Sequence, residues 1–566
     1  MSSPNGPRTG RPPTRAPLAM VSTSHYLATA SGLRMLQNGG SAVDALIAAN
    51  AVLCVAYPHM AGLGGDGFWL IHDPRDKKVR ALDASGPAAA MATRSWYSGR
   101  AEDGEIPSRG GLAALTVPGA VDGWREAHEA YGRLSWRELF DDAIRYASQG
   151  VPVSRSLADW LTKDVPVLKQ DDDAAGIFLH QGHARREGER LIQDGLARSL
   201  DVIARDGARA GFYDGGLAEE LCGALESKGS PLRTEDLAAY RAEWVEPIET
   251  TYRDHRVLEF PPATQGFAAL QVLNLIEDWD LVSWGDGSAD YFHHMAEAVK
   301  VAFADRDAWL TDPRFVDIPL DKLISKDYAR ERRDLIKADT ALEMTEVEPG
   351  IEWDSERRRE EAGAGAGRGA RRRSPDGDTV YFCAVDADGL VVSAIQSVYH
   401  DFGAGIVAGE TGIIPQNRGS FFSLDDDHPN RLEPGKRTFH TIIPAMLLDG
   451  DEPRMAFGSM GGEGQPQTHA ALLTRVLDFG YDVQQAIEAP RWLMGRTWGV
   501  ESRDLSLEGR VADEVLRELE RRGQPVKVLA NWDDNMGHAA AIRLDPESGF
   551  LEGGADPRGD GAAAGY

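Results

Sequence analysis

Four groups of residues in the C-terminal third of the chain carry the means for acyl-transfer chemistry. Thr379 opens an apolar run, Val380-Tyr381-Phe382-Cys383-Ala384-Val385, directly after a polar, Gly/Arg-rich stretch. A threonine hydroxyl is a weak nucleophile. A backbone cut before Thr379 would give it a free α-amine, and that amine can act as base for its own hydroxyl. Ser397, in Gln396-Ser397-Val398-Tyr399, adds a second hydroxyl one run later. Gly461-Gly462 ends an apolar run in AFGSMGGEG, where N–H donors unobstructed by side chains can face a developing oxyanion. Arg418, in Gln416-Asn417-Arg418-Gly419, is a forked cation able to grip a carboxylate through two N–H groups. Singly, each has a plainer reading: a threonine at a strand start, a glycine pair in a turn, an arginine in water.

Patterning indicates which elements would position these groups. The run after Thr379 meets the turn-like Asp386-Ala387-Asp388-Gly389 and then a second β-rich run, Leu390–Ile395, which reads as a hairpin. Near the N-terminus a helical pattern over Ser24–Gln37 stops at Asn38-Gly39-Gly40. Ser41 with Asp44 forms a cap of the box type ahead of the apolar helix DALIAANAVLCVAYP. The glycines of His59–Gly67 lead into the strand-like FWLIHD, with no Lys-Ser/Thr and no helix following. They therefore read as close backbone packing beside a site, not as a phosphate cradle. A Gly-rich connector, 108–124, precedes a helix around Arg125–Tyr131, and helical patterns continue to about residue 245. A β-like segment at Arg256–Phe260 and helices around 267–277 and 289–310 complete the first part. His293, His294 and Glu297 lie in the last of these without zinc-ligand spacing.

Composition narrows the function classes. A hydrophobic fraction of 42% with 27% charged residues is that of a soluble globular protein. A formal charge of −28 repels nucleic acid and anionic membrane surfaces. Cys54, Cys222 and Cys383 are too few and too apolar in setting for a disulfide framework. Residues 1–17 read as a disordered tail without the apolar core of a secretion signal, and no stretch has the roughly 18 apolar residues that span a bilayer. The expected location is cytoplasmic. Residues 340–378, low in apolar content and rich in Gly, Ala and Arg, read as a disordered linker.

In combination the motifs resemble the gamma-glutamyltransferase family of N-terminal nucleophile (Ntn) hydrolases. The stretches are GDTVYFCAVDADG, FGAGIVAGETGI, PGKRTFHTIIPAM, GSMGG, APRW and ADPRGDGAAAGY, with GLGGDGFWLI, LTVPGAVDGW and FADRDAWLTDP in the first part. The resemblance runs from about residue 18 to the C-terminus. It implies an α+β fold, a four-layer αββα sandwich built by two subunits from one precursor. Cleavage between Asp378 and Thr379 would leave a large subunit, 18–378 beyond the tail, and a small subunit, 379–566. Thr379 would be nucleophile and, through its amine, base. Ser397 falls where the family has an assisting threonine, and Gly461 and Gly462 fall on its oxyanion-binding pair. The resemblance implies no cofactor and no metal, a small-molecule amide as substrate, subunits that stay associated, and room for a dimer of heterodimers.

The sequence departs from the glutathione-cleaving members where they hold the glutamate head group. Their carboxylate-binding arginine falls at Ser85, their ammonium-pairing aspartate at Phe421 and the nearby glutamine at Arg418. An asparagine falls at Tyr399, and a serine pair at His440 and Thr441. An α-ammonium beside Arg418 would be repelled, and against Phe421 it would lack a counter-ion. A small amide bearing a carboxylate suits this set better. QSVYHDFGAG, QNRG and KRTFHTIIPA are most similar to the oxamate amidohydrolase branch, with Arg418 as carboxylate clamp and Tyr399, His440, Thr441 and Phe421 around it. A gamma-glutamyl hydrolase or transferase, a cephalosporin-type acylase and an inert processed scaffold are the competing expectations.

Overall fold

The structure, a computed structural model, describes residues 11–101, 104–352, 378–495 and 502–566. Two seven-stranded sheets form its centre. The first runs, in spatial order, Ala562–Gly565, Met20–Thr23, Asp378–Val385, Val391–Tyr399, Asp66–Asp73, Lys78–Ala84 and Glu243–Val245. The second runs Thr14–Ala16, Leu551–Ala555, Ala539–Leu544, Glu452–Ser459, Ala445–Asp449, His255–Glu259 and Ile248–Tyr252.

The alternation of side chains along a strand explains the layering. Val380, Phe382 and Ala384 point to one face of the first sheet and join a core with the helices Tyr26–Gln37 and Ala42–Ala56. Tyr381, Cys383 and Val385 point to the other face and pack between the sheets against Ile442, Met446, Ala456 and Ile542. The outer face of the second sheet, with Val257, Leu447, Phe457 and Ala541, is covered by Gly266–Ile276, Ala289–Trp309 and Gln465–Leu477. Strands buried on both faces read as unbroken apolar runs, as VYFCAV does. This is the αββα sandwich the motifs imply.

Local signals fared well where they rest on backbone chemistry. Ser41 Oγ accepts from Asp44 N (3.1 Å) and Ser41 N donates to Asp44 Oδ2 (2.9 Å), so the box caps Ala42–Ala56, a device that contributes about 1 kcal/mol. The helix after the Gly-rich connector begins earlier than expected, at Ala120. His293 and Glu297 are core residues: His293 Nε2 lies 2.8 Å from Lys337 O, and Glu297 pairs with Lys300 at 2.7 Å.

Two boundaries differ from the sequence reading. Residues 11–17, assigned to the tail, contribute the edge strand Thr14–Ala16, which pairs with Leu551–Gly553. An edge strand is held by backbone hydrogen bonds that composition does not register. Residues 340–352, assigned to the linker, are packed: Leu342 N donates to Glu297 Oε2 (2.8 Å), Gly350 N to Asp305 Oδ1 (2.8 Å) and Trp309 Nε1 to Ile351 O (2.8 Å). The linker residues 353–377 and the tail residues 1–10 lie outside the described residues.

Candidate active site

Thr379 sits at an irregularity in the ladder between Asp378–Val385 and Val391–Tyr399. Asp378 pairs with Tyr399 and Val380 with Gln396, so Ser397 and Val398 together stand opposite Thr379. Such a bulge re-aims side chains at a strand end. Both Thr379 and Ser397 are buried. The Ser397 strand is held from below by Asp66–Asp73, where Ser397 pairs with Asp66. At Gly65 a Cβ would lie 2.4 Å from Ser397 O, so this approach requires glycine, the close packing expected of the 62–67 stretch.

Gln396 anchors the same strand end. Its Oε1 accepts from Asn50 Nδ2 (2.6 Å) and Trp124 Nε1 (3.2 Å), and its Nε2 donates to Gly62 O (3.1 Å). The strand then kinks at Tyr399, whose φ of 79° is rare for a side-chain-bearing residue and marks a constrained backbone. Tyr399 N donates to Ser397 Oγ (2.8 Å).

Arg418 occupies the centre. Its Nη2 donates to Ser397 Oγ (3.1 Å), its Nη1 to Thr441 Oγ1 (3.1 Å), and its guanidinium lies 4.4 Å from the Tyr399 ring centroid. Arg418 is 0% exposed and, among the described residues, forms no ion pair with a carboxylate; its Nε has no hydrogen-bond partner there. Burial lowers its pKa to about 10, only partly offset by Tyr399 and by the charge of Asp66. A row of rings continues outward from it: Tyr399 to Phe421 at 4.5 Å, and Phe421 to Phe439 at 4.5 Å.

His440 faces elsewhere. Its Nε2 is 3.0 Å from Asp66 Oδ2 and its Nδ1 2.8 Å from Thr438 O, so both ring nitrogens are engaged within the protein. Asp66 Oδ1 also accepts from Gly86 N (3.0 Å) and Gly119 N (3.2 Å), tying three loops together. Ser85, where the resemblance implies a departure from an arginine, bonds through its hydroxyl to Asp83 (2.6 Å), and its carbonyl accepts from Arg437 Nε (3.0 Å). Gly461 and Gly462 lie at the end of Glu452–Ser459, at the entry to the helix Gln465–Leu477, with φ of 130° and 53°. Glycine alone adopts such angles freely.

The structure thus gathers Ser397, Arg418, Tyr399, Phe421 and Thr441 into one contact network beside Thr379, with His440 one layer behind. Sequence reasoning did not single out Asp66 or Gln265. Gln265 bonds to both Thr441 and Gly462 (2.6 and 3.0 Å). The available signal was a polar amide at the mouth of the mostly apolar, fully buried helix GFAALQVLNLI and a carboxylate inside a glycine run.

Comparison with known proteins places the whole chain in one family. The family model for gamma-glutamyltranspeptidase matches residues 28–566. The glutathione hydrolase-like YwrD proenzyme of Bacillus subtilis is 45% identical over 96% of this chain and 98% of its own length. The oxamate amidohydrolase proenzyme of Klebsiella pneumoniae is 42% identical over 97% and 98%. The crystal structure of cephalosporin acylase from Bacillus halodurans superposes with a TM-score of 0.88 at 36% identity, covering 100% of this chain and 99% of that one. The chain belongs to the gamma-glutamyltranspeptidase family and is an amidohydrolase of the N-terminal nucleophile type.

Proposed function

We propose that the protein cleaves itself between Asp378 and Thr379 and then hydrolyses a small amide bearing a carboxylate, such as oxamate. The observation that carries this reading is Arg418. Among the described residues this buried guanidinium contacts two hydroxyls and a ring, and only the more distant charge of Asp66 offsets its burial, so most of the desolvation cost stands. A substrate carboxylate would supply the missing counter-charge through charge-assisted hydrogen bonds. The same cation argues against a glutamate head group with its α-ammonium. The oxamate amidohydrolase relative, 42% identical over nearly its whole length, supports the same substrate class.

In the uncut chain the Thr379 nitrogen is a peptide nitrogen and the residue is buried, so the base does not exist before cleavage. Afterwards the amine takes the proton of Thr379 Oγ as that oxygen attacks the amide carbonyl. The oxyanion is received by the N–H groups of Gly461 and Gly462. The C–N bond breaks, ammonia leaves with the proton returned by the amine, and an ester to Thr379 remains. Water, deprotonated by the same amine, releases the dicarboxylate and restores the hydroxyl. Ser397 Oγ, between Arg418 and the nucleophile strand, orients the carboxylate end.

A second reading is an acylase for larger amides. The ring row Tyr399, Phe421, Phe439 would line an acyl group, and the cephalosporin acylase structure shares the whole fold. Ammonia release from oxamate decides between them. It is expected in the wild type, absent in Thr379→Ala, and reduced about 10²-fold or more in kcat/KM in Arg418→Ala. Full turnover by Arg418→Ala, or hydrolysis of bulky acyl amides with none of oxamate, would reject the carboxylate clamp.

A further inference from the structure

A glycine pair does not hold its own amides in direction, because many backbone angles are open to it. Something outside the pair must fix them. Gln265, 0% exposed at the start of Gly266–Ile276, is bonded to the pair and to the clamp at once. Its Nε2 donates to Gly462 O (3.0 Å) and to Thr441 O (2.6 Å), and Thr441 is the residue whose hydroxyl meets Arg418. Its Oε1 accepts from Arg306 Nη1 (3.1 Å), and Arg306 Nη2 donates to Glu463 Oε2 (2.8 Å). Its backbone N–H donates to His440 O (3.1 Å). With the amide oxygen held by a cation, the side chain has one orientation, both of its N–H groups toward carbonyls.

We infer that Gln265 is a positioning residue that couples the two ends of the substrate site. It holds the peptide after Gly462, while Gly464 N holds Gly461 O (2.9 Å) on the peptide before it, so Gln265 fixes one side of the turn that aims the glycine N–H groups and keeps it in register with the Thr441 side of the Arg418 clamp. Arg306 and Glu463 lock it from behind. The inference rests on the roles proposed for Gly461, Gly462 and Arg418, and it adds that a residue touching no substrate sets their relative placement.

Two variants test it. Gln265→Met keeps length and volume but has no donor. Gln265→Glu keeps the bond to Arg306 and sets an acceptor against the two carbonyls. Steady-state kinetics are compared on oxamate and on oxamide, an uncharged amide of the same size, using protein that still melts cooperatively. Both variants are expected to lose kcat about tenfold or more on either amide, since the oxyanion is common to both. KM should rise for oxamate relative to oxamide, since only oxamate uses the clamp. Unchanged kcat in both variants, or a KM change equal for the two amides, would overturn the coupling. If the wild type turns over some other amide and not oxamate, the substrate proposal fails while the kcat comparison on that other amide still decides the role of Gln265.

Discussion

Arg418 costs the fold stability for as long as no anion meets it, and two expectations follow from that. Replacing it by an apolar side chain of similar length removes a buried charge that Asp66 offsets only in part, and the cost of desolvating that charge goes with it. Arg418→Met should therefore melt no lower than the wild type while its kcat/KM on oxamate collapses; a large drop in Tm together with retained activity would mean the guanidinium is a structural post. Oxalate, which offers a carboxylate without a scissile bond, should raise the Tm of the processed protein. At a hundredfold excess over its Kd the gain is about 2.7 kcal/mol. The same addition should leave Arg418→Met unmoved, and an equal shift in both proteins would place oxalate elsewhere. Arg418 and Ser397 stood out in the sequence as a cation and a hydroxyl in short polar stretches, and Thr441 only through the family resemblance. Gln265 and Asp66 did not, because their importance lies in partners far along the chain: Thr441 and Gly462 for the first, His440, Gly86 and Gly119 for the second.

The stretch from Tyr399 to Gly405 carries the Arg418-facing ring on a backbone with positive φ at Tyr399, Phe402, Gly403 and Gly405. Such a segment needs outside support. Arg109 Nη2 donates to Asp401 Oδ2 (2.8 Å) and its Nη1 to Gly403 O (2.8 Å). Asp164, on the helix Arg155–Leu168, lies against Asp401, and the two carboxyls ionise in opposition. Burial, then the hydrogen bond to Asp401, pushes the Asp164 carboxyl up to about 9. Burial opposes ionisation of Asp401 as well, but the bond from Asp164 and the Arg109 charge hold it at about 2. The folded Asp164 therefore keeps a proton that the unfolded chain, with a carboxyl near 4, has lost. Its contribution to stability declines as pH rises through the window from about 4 to about 9. Asp164→Asn retains a donor toward Asp401 and removes the titration, so its Tm should fall less steeply than the wild type between pH 6 and 9, on the order of the single-proton slope. Parallel Tm profiles would show that the pair does not titrate in this range. Hairpin, cap and apolar helices were readable from periodicity alone, but this acid pair was not, since Asp164 and Asp401 are linked only by the fold.

At the scale of the whole molecule the two halves on either side of Thr379 are interleaved. Asp378–Val385 lies between Met20–Thr23 and Val391–Tyr399 in one sheet, and His255–Glu259 pairs with Ala445–Asp449 in the other. Each of the three hydrophobic cores takes residues from both halves. A cut at Thr379 therefore breaks one peptide bond without releasing a separable domain. The two products should co-elute at native pH and separate only in denaturant; independent elution would contradict the shared cores. The four layers were implied by motif resemblance, and patterning alone supplied the helices and strands without their order in the sheets. Mass spectrometry of the purified protein under denaturing conditions bears on all of this most directly. Two chains are expected, the lighter one spanning Thr379 to Tyr566 with Thr-Val-Tyr-Phe at its start, and no such fragment from Thr379→Ala. A single full-length chain that nevertheless hydrolyses amides, or a light chain beginning at any other residue, would contradict that expectation.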